Sequence, residues 1–113
     1  MREEIRFYIE RAEKFRRNAE FNFKNGDYDL AMLHIEQSMQ LLIKAKLLDL
    51  KGCFERTHSL RKLLSEMREI EGVEEFLANY KTVLRNLERA YITSRYYFEE
   101  FFKERSKKLL KHY

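Results

Sequence analysis

Apolar residues recur along this chain at three- and four-residue steps, the period of helices that bury one side. Ile5, Ile9, Ala12, Phe15, Ala19 and Phe23 form one such stripe and predict a helix from about Glu3 to Asn25. Gly26 suits the left-handed conformation that ends a helix, and Asp27 suits the cap of the next. A second helix is predicted from about Tyr28 to Leu50, with Tyr28, Ala31, Ile35, Met39, Leu42 and Ala45 on one face. Leu33, Leu41, Leu47 and Leu48 widen that face, so this helix should be central, touching two or three neighbours or a second subunit. Lys51 to Arg56, with Gly52, reads as a loop. Thr57 or Ser59 then caps a third helix that points Leu60, Leu63, Leu64, Met67 and Ile70 inward. Glu71-Gly72 makes the next turn. Val73, Phe76, Leu77, Tyr80, Leu84, Leu87 and Tyr91 predict one continuous fourth helix. Thr93-Ser94 are poor helix formers and mark a break, after which Phe98, Phe101, Phe102, Arg105 and Leu109 suggest a terminal helix. The fold expected is all-α: an up-and-down four-helix bundle with an additional C-terminal helix, in one domain spanning residues 1–113.

Composition sharpens this picture. Of 113 residues, 44% are hydrophobic and 37% charged, which suits one globular core with a highly charged surface. Proline is absent and glycine occurs three times, so long helices with short connections are expected. The net charge of +4 is mild, and the two signs alternate, as in Arg2-Glu3-Glu4. That pattern is a solvated helix surface rather than a nucleic-acid-coating one. Only Lys103 to Lys111 is locally basic, and cations near a helix end also complement its dipole. The single cysteine, Cys53, excludes an intrachain disulfide and a thiolate zinc cluster. The N-terminal residues lack the apolar core of a signal peptide. No apolar run approaches the ~18 residues of a membrane span. A cytoplasmic protein without membrane partners is the expectation.

Several short pieces combine into a resemblance. Gly26-Asp27-Tyr28, His34-x-x-Gln37 with Lys44, Thr57-His58-Ser59-Leu60 and Tyr91-x-x-x-Arg95-Tyr96 follow one another in an order and spacing similar to the HEPN domain family. The resemblance implies a helical bundle, often homodimeric and often encoded beside a minimal nucleotidyltransferase; some relatives are toxins that cleave RNA. This chain departs from the family at Tyr97, where relatives carry Pro, and at Gln40, where they often carry Glu. The family's ribonuclease motif is an Arg and a His with roughly four to six residues between them, a pairing suited to general acid–base cleavage. Arg85, Arg89 and Arg95 have no such His. Arg105 and His112 fit the spacing but stand at the chain terminus, where fraying is usual. They are the one candidate catalytic pair.

The ligand-binding candidates are Arg95, His34, Gln37, Tyr96 and His58. Arg95, among tyrosines, suits a phosphate clamp with a ring stacked on a base, or a fastening contact within the bundle. His34, beside an apolar stripe, suits a hydrogen-bonded structural role or a groove contact. His58, at a helix start, suits local capping or a phosphate. No carboxylate constellation completes a metal site, and no cofactor is implied. A straight helix rises 1.5 Å per residue, which puts His34 roughly 24 Å from the far end of the second helix. His34, Gln37 and Arg95 are therefore expected as one cluster, with His58 apart as a cap. The function expected is a nucleotide- or RNA-associated binding module, non-catalytic, homodimeric, and partner to a nucleotidyltransferase. The alternatives are a dimeric ribonuclease toxin of a toxin–antitoxin pair and a structural adaptor without nucleotide affinity.

Overall fold

Ile5, Ala12 and Ala19 stand seven residues apart on the first helix, and Ala31, Ser38 and Ala45 do the same on the second. All six are buried. A seven-residue spacing nearly repeats the helix phase, so each trio forms one narrow seam. The computed structural model, which describes residues 2–93, closes these two seams on each other. Helix α1 (Glu3–Lys24) and helix α2 (Tyr28–Lys51) form an antiparallel hairpin. Its register is fixed by Arg2 Nη2 donating to the Leu48 carbonyl (2.6 Å) and Ser38 Oγ donating to the Ala12 carbonyl (2.8 Å). Phe23 and Tyr28 meet edge to face across the turn. Small residues along the seam let the two backbones approach closely, and α2 is central, as its wide apolar face predicts.

The turn between them uses Gly26 at φ 80°. Asp27 occupies the N-cap position of α2, but its carboxylate makes no capping bond. Asp29 Oδ1 instead accepts from the Leu30 amide at 3.0 Å. Gly52, at φ 77°, ends α2. Positive φ is the reason for glycine at both positions.

After Gly52 the chain does not stay at the end of α2. Phe54 packs edge to face on Tyr8 and lies under the Lys44 ammonium (5.3 Å to the ring). A few residues on, His58 reaches the level of Gln37 and Leu41. This extended segment runs back along α2 before α3 (Leu60–Ser65) begins. Ser59 caps α3, its Oγ accepting from the Lys62 amide, while Thr57 Oγ1 accepts from the Ser59 amide. The turn through Gly72 leads to α4 (Val73–Asn79), and α5 occupies 81–93.

The core joins Ile43 and Leu47 of α2 to Leu60, Leu63 and Leu64 of α3, to Met67, and to Leu84 and Leu87 of α5. All described elements are helices, as expected for a helical bundle. Three details differ from the sequence reading. The expected continuous helix from Val73 is broken at Tyr80 (φ −112°, ψ 18°). The period runs through the break because a bend redirects a helix without changing its apolar spacing. Phe76 and Tyr80 remain at the surface, their rings 4.8 Å apart. On α2 the expected face also turns: Tyr28, Ile35 and Leu42 are exposed, while Glu36, Gln40, Ile43 and Leu47 face inward. On α1, likewise, Ile9 and Phe23 are exposed.

Candidate functional site

Where α1, α2, the returning segment and α5 converge, a cleft of about 160 Å³ opens, lined by Arg11, Phe15, Gln37, Gln40, Leu41, His58 and Tyr91. Each element contributes by its phase. Arg11 and Phe15 are one turn apart on α1, with the Arg11 guanidinium 5.9 Å from the Phe15 ring centroid. Gln37, Gln40 and Leu41 share one flank of α2. His58 arrives on the returning segment, and its ring lies against that of Tyr91 on α5, centroids 5.6 Å apart.

Two buried carboxyl groups support this cleft. The Glu88 side chain from α5 crosses to the start of α3. Its Oε1 accepts from Ser59 Oγ (3.0 Å) and the Arg61 amide (3.0 Å). Its Oε2 accepts from Arg61 Nε (3.2 Å) and Nη2 (2.9 Å). Burial works to raise this carboxyl, but the bonds from the Arg61 side chain and main chain and from Ser59 outweigh it, holding Glu88 below the usual carboxylate range. The clamp fixes Ser59 and Arg61, and hence the adjacent His58.

Glu36 is the opposite case. It is fully buried on α2, and its Oε2 has no hydrogen-bond partner among the described residues. Gln40 Nε2 donates to its Oε1, and Lys44 Nζ donates to Gln40 Oε1 at 3.3 Å. Burial pushes the Glu36 carboxyl up to about 7, against the Gln40 bond and Lys44, and the nearby Glu88 charge adds to the rise. Burial also lowers Lys44, which Glu36 partly offsets. A relay from buried carboxyl to amide to ammonium thus runs along α2, and Gln40 is the member that reaches the cleft.

The sequence candidates are placed as follows. Gln37 and His58 share the cleft, so His58 is not set apart as a cap; Ser59 holds that position. The difference arises because residues 53–58, extended at ~3.3–3.6 Å each, can span about 20 Å. That is enough to carry His58 back to about the middle of α2. His34 stands just outside the cleft. Its Nδ1 meets Asn22 Oδ1 at 2.7 Å, and its ring lies 6.0 Å from that of Phe15. Arg95, Tyr96, Arg105 and His112, with Phe98, Phe101 and Phe102, lie outside the described residues. Sequence reading missed Arg11, Tyr91, Glu36 and Glu88 as parts of the site. Arg11 immediately precedes a buried seam position, Ala12, and Tyr91 looked like the end of a core stripe. Glu88 sits between Arg85 and Arg89, among charges that read as solvated, and Glu36 is a lone charge in a polar stretch beside an apolar stripe.

Chemically, the cleft offers a guanidinium fork for one phosphate or carboxylate, a ring pair for stacking, and two side-chain amides that both donate and accept. No helix among the described residues is long and apolar enough to cross a membrane. No curated protein and no solved structure significantly matches the chain. A family model described as the HEPN domain matches residues 5–113. That match takes in the hairpin, the returning segment and the cleft together, and the chain belongs to the HEPN domain family.

Proposed function

We propose that this HEPN domain is a non-catalytic binding module that takes a nucleotide or the end of a polynucleotide in the Arg11–Gln37–His58–Tyr91 cleft. It acts as a homodimer beside a separately encoded nucleotidyltransferase. The observation that carries the reading is the convergence, in one cleft, of a cation, an adjacent pair of tilted rings and two amides drawn from four elements. At about 160 Å³ the cleft is smaller than the ~300–1,000 Å³ of sites that enclose a whole small ligand. It suits one base or one phosphate with the remainder outside, which favours a chain end over a free nucleoside triphosphate. Arg95 and Tyr96, which follow Tyr91 closely in the chain, are the candidates for contacts to that remainder.

Calorimetry with nucleoside monophosphates and a short single-stranded RNA tests this. Arg11→Ala should weaken binding by ~1.5–3 kcal/mol, the scale of hydrogen bonds to a charged group. Tyr91→Ala should cost ~1–3 kcal/mol, the scale of one base stack. Arg95→Ala should weaken binding on the Arg11 scale. Wild-type protein that binds neither ligand, or binding indifferent to Arg11→Ala and Tyr91→Ala, would leave a structural adaptor as the better reading. RNA cut by the purified protein, with the activity lost in His112→Ala, would replace it by the ribonuclease. Co-purification with the product of an adjacent nucleotidyltransferase frame tests the partner.

A further inference from the structure

Glu36, Gln40 and Lys44 follow one another at four-residue steps on α2, so their side chains stand one above the next along the helix. Gln40, the middle member, is 6% exposed and lines the cleft. Its Nε2 donates to Glu36 Oε1, and its Oε1 accepts from Lys44 Nζ at 3.3 Å. Neither bond can be reversed. A carboxylate only accepts and an ammonium only donates, so turning the amide over would break both bonds at once. The neighbours are themselves held in place. Glu36 is fully buried, and the Lys44 ammonium lies 5.3 Å from the centroid of the Phe54 ring. Gln37 lines the same cleft without such a pair of partners among the described residues, so its amide can turn to suit a ligand.

A side-chain amide has two N–H groups and two carbonyl lone pairs. Its bonds to Glu36 and Lys44 use one of each and leave one of each. A free amide offers a ligand either end. A fixed one offers its donor and its acceptor in a single order. Among nucleotides that order decides between bases. Adenine and cytosine carry an amino group, a donor, where guanine and uracil carry a carbonyl, an acceptor. The neighbouring rings of His58 and Tyr91 cannot draw this distinction, because every base has a π-face.

We infer that Gln40 is the residue that reads the base: its amide, held in one sense by Glu36 and Lys44, meets the exocyclic group of the bound nucleotide and separates the amino bases, adenine and cytosine, from the keto bases, guanine and uracil. The inference rests on the nucleotide reading of the cleft and names what that cleft distinguishes. Glu36 and Lys44 are positioning residues here, acting on the ligand through Gln40.

Calorimetry with the four ribonucleoside monophosphates tests this. It is run at about pH 8, above the value of about 7 at which Glu36 ionises. Adenine against guanine, and cytosine against uracil, should differ in affinity by roughly 5-fold or more, both in the same direction. That grouping crosses ring size, whereas recognition by stacking alone sorts purines from pyrimidines. Glu36→Gln with Lys44→Met removes both constraints and lets the amide turn. The disfavoured pair should then rise towards the favoured pair, while a loss of mere support would weaken all four alike. Gln40→Met, which has neither donor nor acceptor, should close the gap as well. Circular dichroism checks that each variant is folded. Binding that sorts only by ring size, or not at all, overturns the role of Gln40 and leaves the nucleotide cleft standing. So does a gap that survives Gln40→Met, or a double variant that weakens all four equally. A wild type that binds none of the four nucleotides, nor a short single-stranded RNA, overturns the cleft reading and this inference together.

Discussion

Glu36 holds a carboxyl at full burial with one oxygen unpaired among the described residues, and burial moves its ionisation from the ordinary 4.5 to about 7. Between those values the folded chain keeps a proton that the unfolded chain has released, so stability falls as pH rises through the window. The loss is complete above the folded value and amounts to about 3 kcal/mol at most. Glu36→Gln retains an acceptor for Gln40 and removes the charge. Thermal melts should show the variant near wild type at about pH 5 and clearly more stable at about pH 8. Parallel pH profiles would show that Glu36 does not ionise in that range. Glu88 has the opposite sign: it is held low, so its contribution is full above the ordinary carboxylate value and is lost as pH falls from there through its own lowered value. Glu88→Ala strips the acceptor from Ser59 and Arg61, and about 2–3 kcal/mol of stability should go with it. Amide exchange at Arg61 should quicken at the same time. Neither glutamate was legible as a buried group. In sequence Glu36 and Glu88 look like any other charges between apolar residues, and only the packing of α2 against α5 decides which of these carboxylates leaves water.

At the scale of the elements, helix positions were legible and helix faces were less so. Gly26, Gly52 and Gly72 punctuate the chain, and the sequence alone places the breaks there. The face of α2 misled because that helix is apolar on more than one side, so the period does not say which stripe meets α1. The small residues decide it: Ala12 and Ala19 against Ala31, Ser38 and Ala45, with Ile5 at the open end. Ala12→Leu tests the seam. Ala12 has no exposure and its carbonyl accepts from Ser38, so a larger side chain must push the helices apart. Overpacking of this kind costs roughly 1–3 kcal/mol. Denaturant unfolding should show a loss in that range, while Ala78→Leu, on the exposed surface of α4, should change little. An equal effect at both positions would mean the seam has room to spare. The return of His58 along α2 was equally hidden. A loop of mixed polarity carries no periodicity, and its direction is set by where Phe54 finds Tyr8 and Lys44.

For the whole molecule, the question is whether binding comes from a cleft or from a charged surface. The net charge of +4 is spread among interleaved signs, and Arg11 is the one cation lining the cleft among the described residues. Each phosphate neutralised on a single strand releases counterions and adds about −0.7 to the slope of log K against log salt. A cleft that holds one chain end through Arg11, with Arg95 as a second contact, therefore predicts a shallow slope of about −0.7 to −1.4. Binding through the basic 103–111 run would engage several phosphates and give a slope of roughly −3 or steeper. Titrating a short single-stranded RNA at a series of salt concentrations separates the two, and Arg11→Ala should flatten the slope by one contact. The second cut is chemical. A cleft of this size reads a terminus, so a strand closed into a circle should bind far more weakly than the linear one. A steep slope, or equal affinity for linear and circular strands, would move the binding off the cleft and onto the basic surface. The adjacent His58 and Tyr91 rings would then be packing rather than recognition.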